Sequence, residues 1–196
     1  MFEISRDLRA KVLNFGGRQI IEIQNFYSNP DEVRSYALTS TKYTKDEYPD
    51  LLAFAIGRRV CEDDLRLNPE MEPVFRQLCQ HPGWHIEFDE EHHEYMWSGM
   101  RFMVNVTNNQ EIVDANKPFI AHKDGPERKW ACVIFLNTPE ECEGGTEFYS
   151  EDIKLEYSSN MEYNKAVLYD ANMIHGAVMK KDMFKTCDRL VQVMFM

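Results

Sequence analysis

The chain has 196 residues, of which 43% are hydrophobic, 12% aromatic and 28% charged. That is the size and composition of one soluble domain with a sizeable core, and it excludes general disorder. The formal net charge of -11, from 22 Lys and Arg against 33 Asp and Glu, argues against nucleic acid and against an anionic membrane surface as partners, since both need a basic face.

Five cysteines, at 61, 79, 132, 142 and 187, form no Cys-x-x-Cys pair. The first residues are polar, with no signal-peptide core, and no apolar run approaches about 18 residues. The expected setting is a reducing, cytoplasmic compartment.

Ile20, Ile21 and Ile23 lie in a short apolar run ending at Asn25-Phe26, which predicts a strand. Ser28-Asn29-Pro30-Asp31-Glu32 reads as a helix start, with a capping Asn, a first-turn Pro and acids at the positive helix end. Val33, Tyr36 and Ala37 give that helix its face. Residues 41–57 have weak periodicity and read as a loop. Asn68-Pro69-Glu70 opens a second helix, with Met71, Val74, Phe75, Leu78 and Cys79 on one buried stripe, and His81-Pro82-Gly83 stops it. Trp84, Ile86 and Phe88 then alternate as a strand. The acidic run from Glu87 to Glu94 reads as a solvated loop.

From Ser98 onward the pattern is strand and turn. Strand-like segments fall at about 99–107, 117–123, 129–137, 146–150, 153–158, 164–171, 173–179 and 187–196, separated by Gly, Pro, Asn and Asp. This fits a jelly roll, although a sandwich of another topology has the same signature. The expected fold is mainly β with flanking helices (α+β). It forms a single domain over 1–196, with residues 1–95 as a helix and strand extension covering a core at 96–196.

His122-Lys123-Asp124 places an imidazole and a carboxylate at i and i+2, which on a strand face the same way. His175 follows after 50 intervening residues and supplies a second imidazole from a neighbouring strand. Two His and one carboxylate leave three positions open on an octahedral ion, the arrangement of non-haem Fe(II) oxygenases. Zinc is the competing metal, though its catalytic sites more often use three His or two His and Glu. Arg189 shares a strand face with Val191 and Val193. A cation among inward apolar residues needs a partner, either a bound carboxylate or a structural acid such as Asp170.

In these residues the chain resembles the Fe(II)/2-oxoglutarate-dependent dioxygenases, in the prolyl-hydroxylase-like branch. The resemblance rests on Ala121-His122-Lys123-Asp124, Trp130-Ala131-Cys132-Val133-Ile134-Phe135-Leu136-Asn137, Gly144-Gly145-Thr146-Glu147-Phe148, His175 and Arg189, in that order, and covers about residues 99–196. It implies a double-stranded β-helix (jelly roll, cupin-like) with Fe(II) on His122, Asp124 and His175. It also implies 2-oxoglutarate with its distal carboxylate on Arg189, and O2 as co-reactant. The implied activity is that of an oxygenase, hydroxylating a C–H of a small molecule or an amino-acid or peptide substrate with release of succinate and CO2. The sequence departs from many members at Phe135 and at Thr107, where they carry Tyr. Asn105 and Thr107, which share a strand face with Met103, are the expected further contacts to the cosubstrate. Two other readings of the same residues are a non-catalytic cupin-like sensor or binding module and a zinc- or manganese-dependent hydrolase.

Overall fold

The structure, a computed structural model, describes residues 2–44, 46–47, 56–60, 73–74, 77–78, 102–115, 121–125 and 129–195. Its first element is a hairpin. Strands β1 (Arg9–Phe15) and β2 (Arg18–Gln24) pair antiparallel around Gly16-Gly17, which have φ of 56° and 84°. Positive φ at both central residues is what a two-residue type I′ turn requires. β2 is the strand expected from Ile20, Ile21 and Ile23. β1 lies outside the expected set because it is an edge strand with Arg9, Ala10, Lys11 and Val12 exposed, so no alternation marks it.

Helix α1 (Pro30–Thr39) starts as its residues dictate, with Asn29 as N-cap, Pro30 in the first turn, acids at Asp31 and Glu32, and Val33 and Ala37 buried. Two short strands follow, β3 (Lys42–Tyr43) and β4 (Arg58–Val60). The expected second helix and the strand at 84–88 lie outside the described residues, apart from 73–74 and 77–78. Those four are helical, with Val74 and Leu78 in the core.

Strand β5 (Met103–Thr107) leads into helix α2 (Asn109–Ala115), a stretch expected to be strand and turn. The helix is closed at its start by a reciprocal pair: the Glu111 N–H donates to Asn108 Oδ1 at 2.8 Å, and the Asn108 N–H donates to Glu111 Oε2 at 2.8 Å. This is a capping box. Only Ile112 is buried, so the helix has no apolar stripe for a periodicity search to find.

The remaining strands are β6 (Trp130–Phe135), β7 (Gly145–Tyr149), β8 (Leu155–Asn160), β9 (Ala166–Asp170), β10 (Ile174–Val178) and β11 (Arg189–Phe195). Each falls on an expected segment. The segment expected at 117–123 contributes a single bridge, His122 to His175; residues 116–120 lie outside the described set.

The described strands form two antiparallel sheets, not closed into a barrel. The larger has the order β1-β2-β9-β6-β11-β5-β4-β3, and the smaller β10-β7-β8. The larger sheet is covered on both faces, which is why β11 is buried from Arg189 through Met194 rather than on alternate residues. Leu190 and Met194 join the cluster that includes Val33 and Ala37 of α1. Val191 and Val193 join the opposite cluster with Phe135, Tyr169 and, from the smaller sheet, Phe148. Two layers of packing on one sheet place the inter-sheet face out of water. Among the described residues no helix is long and apolar enough to cross a membrane.

The smaller sheet depends on Gly144-Gly145. A Cβ on Gly145, at φ 143°, would lie 2.0 Å from the Ser159 carbonyl oxygen, and one on Gly144 would lie 2.5 Å from that of Val178. Gly145→Ala is therefore expected to lower stability by more than about 3 kcal/mol, measured by urea unfolding. A variant as stable as the parent would show that β7 can move away from β8.

Candidate metal centre and buried cation

Two hydrogen bonds set the position of the first pair of side chains. The His122 N–H donates to the His175 carbonyl and the His175 N–H donates to that of His122, both at 2.9 Å, the close pairing of an antiparallel bridge. The Asp124 N–H donates to the Ala171 carbonyl at 2.9 Å, and the turn from β9 into β10 is closed by Met173 N–H to the Asp170 carbonyl at 2.9 Å. Backbone pairing thus carries all three side chains to one place.

The ligand-type atoms of His122, Asp124 and His175 lie within 4.8 Å of one another, a group that could hold a metal ion. The Nε2 atoms of His122 and His175 each lie 3.4 Å from Asp124, one from Oδ1 and the other from Oδ2. His175 Nδ1 is 2.9 Å from the Met173 carbonyl oxygen. A carbonyl only accepts, so Nδ1 carries the proton and Nε2 turns its lone pair toward Asp124. Burial pushes the His175 imidazole below its ordinary value, against the opposing pull of Asp124 and the Met173 carbonyl. The ring is therefore neutral at pH 7, the state that binds metal. Asp124 Oδ2 is buried without a hydrogen-bond partner, an arrangement that is costly for a carboxylate unless a cation meets it.

The three side chains differ in access: 47% exposed for His122 but 7% for Asp124 and 6% for His175. Inward of them stands Tyr169, its ring centroid 4.5 Å from that of His175 and 5.1 Å from that of Phe148. Burial first, and then the Asp124 charge, hold its phenol well above the ordinary range. Lys123, between the two ligands in sequence, is placed on Glu151, with Nζ 3.0 Å from both carboxylate oxygens.

Arg189 opens β11 on the inter-sheet face and pairs by register with Thr107 of β5. It is 4% exposed, its Nε has no hydrogen-bond partner, and among the described residues no carboxylate forms an ion pair with it. The structural acid weighed for it, Asp170, lies 3.9 Å from Arg18 instead. The preceding residue, Asp188, is held by Arg58 at 3.0 Å, and Arg58 also holds Glu111 at 3.1 Å. Burial pushes the Arg189 guanidinium down from its ordinary value to about 10, which works against the charged form.

Asn105 is half-buried and pairs by register with Val191, so it lies on the same face as Arg189. Thr107 is buried, and its hydroxyl donates to the Ile56 carbonyl at 2.9 Å. Phe135, also on this face, is fully buried opposite Val191. Two contributors carry no label in the sequence. The Met173 carbonyl is a backbone group, and Tyr169 looks like any core aromatic until His175 is beside it.

No protein-family model and no curated protein matches the chain. Among solved structures, a crystal structure of EvdMO1 aligns over 95% of this chain and 54% of its own, with 11% sequence identity and a TM-score of 0.36. The chain spans about half the length of EvdMO1, and a likeness at that TM-score carries no argument about fold or activity.

Replacing Arg189 by Met, an apolar side chain of similar length, is expected to raise the stability of the ligand-free protein by about 1–3 kcal/mol, measured as a higher unfolding midpoint. A lower midpoint would mean that the guanidinium has a structural counter-ion. The metal-free protein is expected to lose stability as pH falls below 6.5, the ordinary imidazole value, because the unfolded chain takes up a proton that buried His175 refuses. His175→Asn should flatten that limb of the stability curve.

Proposed function

We propose that the chain is an Fe(II)- and 2-oxoglutarate-dependent oxygenase on a double-stranded β-helix, hydroxylating a C–H group of a small molecule or of an amino-acid side chain in a peptide. One observation carries the reading. A His/Asp/His group with an unpartnered buried carboxylate oxygen occurs in the same chain as a buried guanidinium without a carboxylate on the inter-sheet face. Among the described residues Asp124 Oδ2 has no hydrogen-bond donor and Arg189 has no carboxylate, and a metal ion with a chelating diacid would supply both.

His122 and His175 would bind the ion through Nε2 and Asp124 through a carboxylate oxygen. Bound Fe(II), with 2-oxoglutarate and O2, supplies the oxidation that converts a substrate C–H to C–OH and the cosubstrate to succinate and CO2. The chain's own residues bind and orient. The hydrogen bond from His175 Nδ1 to Met173 fixes one ring. The Arg189 fork takes the distal carboxylate of the diacid in a bidentate pair, strong because the site is dry. Asn105 is proposed as a further contact to the cosubstrate. Thr107, whose single proton goes to Ile56, acts beside it as an acceptor and packing group. The reading includes a cytoplasmic setting, where ferrous iron and the thiols of Cys132, Cys142 and Cys187, free in the structure, persist together.

Anaerobic Fe(II) and 2-oxoglutarate are expected to give a visible charge-transfer band that His175→Ala abolishes. Admission of O2 should then release succinate slowly even without a primary substrate. Absence of both band and succinate overturns the reading. Binding without any succinate points to a sensor, and O2-independent activity of zinc- or manganese-loaded protein points to a hydrolase.

A further inference from the structure

We infer that Asn137 is the positioning residue of the buried cation: its amide holds the two peptide groups that flank Arg189 and so aims the guanidinium at an anionic ligand. The inference rests on the proposed role of Arg189 and extends it to a residue that the metal centre does not touch.

Strand β6 ends at Phe135, which pairs with Val191. Beyond it the chain leaves the sheet, through a short turn at Pro139–Glu141, while β11 still has to be held at its first residue. Leu136 makes the last backbone contact, its N–H donating to the Leu190 carbonyl at 3.1 Å. The next two polar groups of the β11 backbone would be left bare in the interior. Asn137 supplies both partners from its side chain: Nδ2 donates to the Asp188 carbonyl at 2.9 Å, and Oδ1 accepts from the Leu190 N–H at 2.8 Å. One amide therefore grips the chain immediately before and immediately after Arg189, standing in for the strand that is missing there.

The grip is itself fixed. Asn137 is 0% exposed. Its own carbonyl is 3.4 Å from Cys142 Sγ, and its Nδ2 is 3.8 Å from Cys187 Sγ. The amide's acceptor and one of its donors are committed to the backbone, so it acts through Arg189 and does not bind ligand directly. On the other flank Arg58 takes the Asp188 carboxylate, which leaves the carboxylate next to Arg189 in sequence engaged elsewhere. A fork-shaped donor set discriminates a second carboxylate only if its direction is held. The expected signature of Asn137 is therefore loss of selectivity for a diacid, with metal binding intact.

The test compares the parent with Asn137→Ala and with Asn137→Gln, which keeps the amide but displaces it by one methylene. Binding is measured by calorimetry for Mn(II) alone, and then for 2-oxoglutarate and the monoacid 2-oxobutyrate on the Mn(II) protein, with unfolding midpoints recorded for each variant. Asn137→Ala is expected to weaken 2-oxoglutarate by about tenfold or more while Mn(II) and 2-oxobutyrate stay within about twofold. Asn137→Gln should give a smaller loss of the same kind, and it decides the question if the Ala variant does not fold. Equal losses for all three ligands, or retained preference for the diacid in the folded variants, overturn the positioning role alone. A parent protein that does not prefer the diacid overturns the proposed role of Arg189 and this inference with it.

Discussion

A guanidinium buried between two sheets, with no carboxylate to meet it among the described residues, is the constraint on which the reading of this molecule turns. Dehydrating such a charge works against folding, so a nearby acid that could neutralise it would stabilise the chain. Among the described residues the acid next to it in sequence is engaged by another base, and acids farther along the sheet have partners of their own. Asp188 is on Arg58, Asp170 is near Arg18, and Glu22 lies 3.5 Å from the buried amine of Lys165 while accepting a hydrogen bond from Ser159. In a chain with eleven more acids than bases, an interior cation without a carboxylate among the described residues is a specific arrangement, and it is the kind of departure from optimal stability that accompanies a binding site.

The His/Asp/His group shows the complementary situation. Its position comes from backbone pairing between residues 122 and 175 and between 124 and 171. The side chains are therefore delivered to one place by the backbone, with Asp124 Oδ2 left without a hydrogen-bond partner. A carboxylate oxygen with no donor and an imidazole nitrogen with its lone pair turned inward are poor at holding a protein together and well suited to holding a cation.

How much of this was legible in the sequence follows from what kind of signal each part leaves. The C-terminal strands were legible because their segments are bounded by turn residues, and His122, Asp124 and His175 because residue type and strand periodicity together point to one ion. Arg189 stood out because a charge alternates there with Val191 and Val193. The hairpin strand Arg9–Phe15 was not legible from alternation, since most of it is exposed; its signal is the Gly-Gly turn. Helix Asn109–Ala115 has one buried residue, so only the Asn108 and Glu111 cap announces it. Spacing does not show whether Arg189 pairs with Asp170, because the answer lies in register: Asp170 is opposite Trp130, level with the far end of β11, where Arg18 lies 3.9 Å from it. The role of Asn137 depends on where β6 stops relative to where β11 begins, a matter of register that a pattern of residue types does not carry.

The unequal access of the three ligand residues has a consequence for the order of events in the life of the protein. His175 and Asp124 are buried by strand and turn contacts that form with the fold itself, whereas His122 stands at the surface. The site is thus assembled without an ion, and a cation arriving from solvent meets the exposed His122 imidazole first and the two buried ligands after it. Loading and unloading then proceed through one outward ligand, which makes metal exchange a local event that a chelator can drive while both sheets stay folded.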